Sequence, residues 1–226
     1  MTTPHPYYPL SLAMDTYVAP TQHPLTLVCT IGTALALVLL LSYILVLRPL
    51  PLPRSTMLTA QWFVLCGSLH CVFELYYLAQ FTALPESTDI MASLWKEYAK
   101  SDSRYLTQSS MVGALESVTV VVVGPLCWLV VIGICRDSPV RWLAQLVASV
   151  LHVYSVVLYF ATEIIASESS CRPEPLYYYG YFYAMNAPWL VVPLWLATSA
   201  AREIHTAMHQ AMQKPSQCIV EKKKKG

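Results

Sequence analysis

Apolar residues run along this chain in five long blocks, separated by shorter polar or proline-bearing links. The blocks are Leu25–Leu47, Met57–Ala79, Met111–Ile134, Trp142–Ile165 and Leu176–Ala200, and the first carries no charge at all. Each matches the roughly 20 residues a helix needs to cross ~30 Å of hydrocarbon. The pattern predicts an all-α fold, a polytopic membrane protein built as a five-transmembrane-helix bundle. It forms one domain over residues 1–226, with spans near 25–47, 57–79, 111–134, 142–165 and 176–200 and a basic tail over 201–226. The first block is too long, starts too late and lacks the basic flank of a cleavable signal peptide. Pro49, Pro51 and Pro53 make the first link stiff and extended. The long connection Phe81–Ser110 is expected to hold a short helix. The tail begins helical at Arg202 and loses its pattern after Pro215.

Composition narrows the class. Of 226 residues, 56% are hydrophobic and 12% charged, against about 45–50% and about 25% in soluble domains. Mean hydropathy is +0.48. A soluble enzyme, a disordered tail and a disulfide scaffold are disfavoured, and a net charge of +1 argues against a nucleic-acid partner. The 7 cysteines show no zinc-site spacing and read as small buried hydrophobes. No Gly-rich phosphate loop, nicotinamide fingerprint, serine elbow or catalytic zinc spacing appears, so neither cofactor nor metal is expected.

Charge sets the orientation. Arg48, Arg54, Arg136, Arg141, Arg202, Lys214 and Lys222 to Lys225 lie on one side, against Lys96, Lys100, Arg104 and Arg172 on the other. The positive-inside rule puts the C-terminus in the cytosol and the N-terminus outside or in a lumen. The ending Lys223-Lys224-Lys225-Gly226 resembles a dilysine retrieval signal of the endoplasmic reticulum. A basic tail touching anionic lipid is the alternative.

Ionisable groups inside the spans are costly and mark function by default. His70, Glu74, Glu116 and His152 lie well inside, whereas Glu163 is near a span end, within reach of water. His70 and Glu74, four apart, share a helix face. Counting rise per residue places Glu74 and Glu116 roughly 8 Å below the same face. His70, Asn186 and Trp189 come next in depth, so these groups are expected to converge in one pocket. His152 is placed in the cytosolic half, apart from them. The Leu176–Tyr183 run reads as an interfacial aromatic belt, with Tyr181 and Tyr183 deep enough to line the pocket. Two carboxyls and a histidine in an apolar cavity suit proton transfer without a cofactor, and an indole beside them can stabilise a cation. That set fits protonation of a double bond in an apolar substrate, then loss of a different proton. Packing and interhelical hydrogen bonds are the competing explanation for the same residues.

At this point the segment Leu94-Trp95-Lys96-Glu97-Tyr98-Ala99-Lys100-Ser101-Asp102-Ser103-Arg104-Tyr105 resembles the EXPERA family, the emopamil-binding group. So do Cys66–Glu74, Glu116 with Gly124-Pro125, and Met185-Asn186-Ala187-Pro188-Trp189-Leu190-Val191. The resemblance implies a sterol isomerase that moves a ring double bond from C8–C9 to C7–C8 in sterol and cholesterol biosynthesis. A proton adds at C9 and another leaves C7. It implies His70, Glu74 and Glu116 as catalytic residues, with the His70–Glu74 pair donating. Trp189 would face the cation and Asn186 would orient a carboxyl or the ring. Tyr98 and Asp102 would close the pocket from the loop, Thr119 would support Glu116, and Tyr181 would touch substrate. The partners implied are a sterol taken from the bilayer, cationic amphiphilic amines, a second copy in a homodimer and other sterol-biosynthesis enzymes. The location implied is the endoplasmic reticulum membrane and the nuclear envelope. The group also holds the sigma-two receptor and a non-catalytic relative, so a sterol- or amine-binding protein without turnover is the alternative. A departure stands in the fourth span, where His152, Tyr154 and Ser155 replace the group's acidic or amide residue followed by Tyr-Gly.

Overall fold

The computed structural model describes residues 4–224, with side chains through residue 213. Among the described residues every regular element is helical. Four helices among the described residues are long and apolar enough to cross a membrane: α1 (Pro24–Leu47), α2 (Arg54–Ala79), α4 (Ser110–Cys135) and α5 (Val140–Ile164). Between α2 and α4 lie the short helix α3 (Ile90–Tyr98) and a tight turn at Ser103–Tyr105. Local chemistry sets the helix starts. The His23 ring accepts the Leu25 N–H ahead of Pro24, and the Asp89 carboxylate accepts the N–H groups of Met91 and Ala92.

The fifth apolar block is not one uninterrupted helix. Leu176–Ala184 (α6) winds in wide π-type turns, and α7 (Pro188–Lys224) begins after a three-residue break. Pro188 has no N–H for the ladder, and its ring disfavours helical conformation in the residue before it. The backbone of α7 stays helical beyond Pro215, where the sequence pattern fades. The expected retrieval signal rests on lysine side chains and a terminus outside the described residues.

α2 packs on α4, α4 on α5, and α5 on α7, while α1 leans on α2 and α3. Two wide turns face each other where α2 meets α4. In α2 the turn spans Leu69–Glu74, and the Leu75 N–H reaches back to the His70 carbonyl. In α4 it spans Thr119–Val123, and the Gly124 N–H reaches the Thr119 carbonyl. Pro125 explains the second: its ring would clash with a normal preceding turn, and widening relieves that. Gly124 explains the close approach. A Cβ there would stand 2.7 Å from the Cys71 sulfur and 3.1 Å from the His70 Cβ.

Burial divides into two regions. One, around α3, is aromatic and includes Tyr7, Tyr77, Trp95, Tyr105, Tyr159 and Phe182. The other is aliphatic and includes Val64, Cys127, Val130, Ile134, Ala148 and Leu196.

Candidate active site

A cavity of about 400 Å³ lies between these regions, within the range of small-molecule pockets. Its walls come from α1 (Leu27, Val28, Ile31, Leu35), from the wide turns of α2 and α4, from α3, α5 and α6, and from Asn186 and Trp189. Two of its lining residues, Val28 on α1 and Met185 just after α6, are themselves exposed.

One wall carries a chain of hydrogen bonds. His70 Nδ1 lies 2.7 Å from Glu74 Oε2, and the Thr119 hydroxyl donates to that same oxygen at 2.6 Å. Thr119 Oγ1 is also 2.9 Å from the Glu116 carbonyl and 3.4 Å from Glu116 Oε2. The Thr119 oxygen thus lies within hydrogen-bond distance of one oxygen of each carboxyl. The Tyr105 hydroxyl donates to Glu116 Oε1 at 2.9 Å. On the far side, His70 Nε2 meets His152 Nε2 at 2.8 Å. Among the described residues His152 Nδ1 is buried with no partner. Such a chain can hold a proton and pass it between members without water.

Asn186 donates its amide to the Phe182 carbonyl at 2.7 Å and to the Tyr98 hydroxyl at 3.1 Å, tying the start of α7 to α3. Trp189 lines the cavity, and its indole packs on Trp62 with ring centroids 5.5 Å apart. His70, Glu74, Glu116, Thr119, Tyr98, Tyr181, Asn186 and Trp189 therefore share one cavity.

Four expectations are corrected. His152 is not apart from the others but touches His70, because α5 passes the wide turn of α2 at the depth of His70. Asp102 does not reach the cavity. It is fully buried behind α3, where Arg104 forks onto its two oxygens at 2.7–3.0 Å. Burial pushes the Asp102 carboxyl above the ordinary range, against the pull of Arg104. Glu163 does not face water. It is buried, accepts the Ser170 N–H at 2.7 Å and the Ser169 hydroxyl at 2.8 Å, and stands 3.6 Å from Arg104. Tyr183 packs on Phe160 and Tyr178 rather than on the cavity.

Two features escaped the sequence. Tyr105, in a loop turn of no readable register, proves to hold Glu116. Cys66, His70 and His152 bring one sulfur and two ring nitrogens within 4.8 Å of one another. The first two sit four apart on α2, but the third comes from another helix, so no spacing rule finds it.

Known proteins resemble the chain over most of its length. The 3-beta-hydroxysteroid-Delta(8),Delta(7)-isomerase of Rattus norvegicus is 38% identical over 208 residues, 90% of each chain. That of Mus musculus is 35% identical over 209 residues, again 90% of each. A protoglabretal synthase of Citrus sinensis is 30% identical over 175 residues, 77% of this chain and 82% of its own. The family model EXPERA (EXPanded EBP superfamily) matches residues 90–200, from α3 into α7. The chain belongs to the EXPERA family.

Proposed function

We propose that this protein is a sterol isomerase that moves the ring double bond from C8–C9 to C7–C8 by protonation and deprotonation. The observation that carries the reading is the pair of carboxyls, Glu74 and Glu116, bridged by Thr119 on the wall of an otherwise apolar cavity. The relatives named as Delta(8),Delta(7)-isomerases support the substrate class.

The chemistry follows from that spacing. C9 and C7 both flank C8, so the carbon that gains a proton and the one that loses it are close neighbours on one ring. Two carboxyls side by side can serve both. Protonation at C9, fed by the His70–Glu74 pair, leaves the positive charge at C8. Glu116 takes the C7 proton, and the C–H electron pair closes the new C7–C8 bond. No net proton is consumed, and the Glu116–Thr119–Glu74 contacts provide the return path. The face of Trp189 stabilises the cation in a site where little water screens the attraction. Asn186 and Tyr98 close one end of the cavity. The sterol arrives from the bilayer past the exposed lining residues Val28 and Met185. A cationic amphiphilic amine mimics the charged intermediate and binds in its place.

The same reading places the chain in the endoplasmic reticulum membrane and the nuclear envelope, N-terminus lumenal and C-terminus cytosolic. The α6–α7 segment serves as a fifth, broken span, with a second copy and other sterol-pathway enzymes as neighbours. A sterol profile tests the activity. Cells lacking their own delta8–delta7 isomerase, given this chain, are expected to convert delta8 to delta7 sterol and to lose that conversion with His70→Ala or Glu116→Gln. Delta8 sterol that persists beside a folded, amine-binding protein overturns the enzyme reading in favour of a binding protein.

A further inference from the structure

We propose that Cys66, His70 and His152 form a binding site for one thiophilic divalent cation of the zinc class, and that its occupancy shuts off proton transfer. The blocking effect rests on the isomerase reading; the binding itself does not. All three side chains are buried, His70 and His152 line the cavity, and Cys66 lies beneath them. Their ligand atoms fall within 4.8 Å of one another. Tetrahedral zinc holds ligands at about 2.0–2.3 Å, which places neighbouring ligand atoms about 3.3–3.6 Å apart. The two imidazole Nε2 atoms stand 2.8 Å apart, so the rings need to part by only a fraction of an ångström.

The surroundings suit a metal centre. His70 presents Nε2 to the cluster while its Nδ1 meets the Glu74 carboxylate at 2.7 Å. A carboxylate behind a ligand histidine fixes the tautomer and raises the basicity of the ligating nitrogen. On binding, the thiol gives up its proton to solvent, so a doubly charged cation and one thiolate leave a single positive charge beside Glu74. The donor set of one sulfur and two imidazoles selects zinc, cadmium or cobalt over magnesium and calcium, which require oxygen ligands.

Occupancy removes two groups from the proposed reaction at once. His70 Nε2 is bound to metal, and Glu74 is held as the partner of a ligand.

The test uses the full chain purified in detergent and titrated with Co²⁺. One equivalent is expected to bring up a thiolate-to-cobalt absorption band with the strong visible bands of tetrahedral cobalt. The thiolate band is expected to disappear in Cys66→Ser, and His152→Gln is expected to weaken cobalt binding at least about tenfold. Absence of the bands in the wild-type chain, or a thiolate band that survives Cys66→Ser, overturns the site. In parallel, stoichiometric Zn²⁺ is expected to lower sterol turnover about tenfold or more in the wild-type chain and to leave Cys66→Ala unaffected. Equal inhibition of both overturns the blocking role. If the chain shows no sterol turnover at all, the cobalt spectrum still decides the site separately.

Discussion

The buried residues of this protein are of two kinds, and the cavity lies on the seam between them. The region around α3 is built of aromatic rings with polar tips and holds buried charges. Lys96 is 1% exposed, and its ammonium donates to the carbonyls of Val18 at 2.7 Å and Ser87 at 2.6 Å. Burial lowers its pKa below the usual lysine value. The region between α2, α4, α5 and α7 has aliphatic side chains, small residues and one buried amide, Gln145, which donates to the Leu196 carbonyl. The difference follows from the solvent each faces. Against lipid, apolar burial gains little beyond packing, so small residues that let helices approach are favoured. At the head of the bundle, water must be kept from the cavity, and rings with satisfied hydroxyls make a dense barrier. Acid–base groups belong where the polar network of one region reaches the dry space of the other.

The largest effect expected to sharpen that comparison is at the seam itself. Glu116→Gln should lower turnover by about 10²–10⁴-fold, the scale of a lost general acid or base, with little change in melting temperature. Sterol conversion and thermal unfolding of the same preparation check this together. Next comes the polar region. Asp102→Ala leaves the Arg104 guanidinium without its bidentate partner and should destabilise the fold by about 3–5 kcal/mol. The protein that remains folded should keep its amine affinity, because Asp102 lies outside the cavity; a large loss of affinity in that fraction would return Asp102 to the binding site. The aliphatic region should respond less. Leu196→Ala should cost about 2 kcal/mol, the low end for a leucine truncation, since lipid is as apolar as leucine. Its turnover per folded molecule should not change. The smallest effect is at Trp189. Trp189→Ala should weaken binding of a charged amine by about 0.5–2 kcal/mol, and a neutral analogue of the same shape should lose less.

The same contrast explains what could be read from the chain. Hydropathy located the four long helices to within three residues at each end, because crossing length and apolarity leave a one-dimensional signature. It also found His70 and Glu74, since their spacing alone puts them on one face. It failed where three-dimensional register decides. Counting residues along α5 set His152 apart from His70 in depth, and neither its true level nor the rotation that turns it toward His70 was readable. Asp102 drew attention as a charged residue in a distinctive loop, yet its partner is Arg104 two positions on, and its role is to build the barrier. Tyr105 closed the segment that resembles the family, but its contact with Glu116 was not legible, because a tight turn has no period to follow. The break before α7 was visible only as Pro188, and whether a proline kinks or interrupts a span depends on what packs beside it.

The barrier has a consequence for the order in which the molecule is made. Arg104 donates to the Thr162 hydroxyl at 2.9 Å, and the Ser103 N–H reaches the Ser170 carbonyl at 3.0 Å. From the other side, the Ser103 hydroxyl donates to the Tyr8 carbonyl at 2.7 Å and the Tyr7 hydroxyl to the Lys96 carbonyl at 3.1 Å. The segment that seals the cavity is thus fastened to the start of the chain and to a turn nearly seventy residues downstream of it. A ribosome must translate past residue 170 before the head of the bundle can close. Until then the wall of acids and histidines is open to water, and the protein becomes competent for dry chemistry only as the last part of its membrane domain emerges.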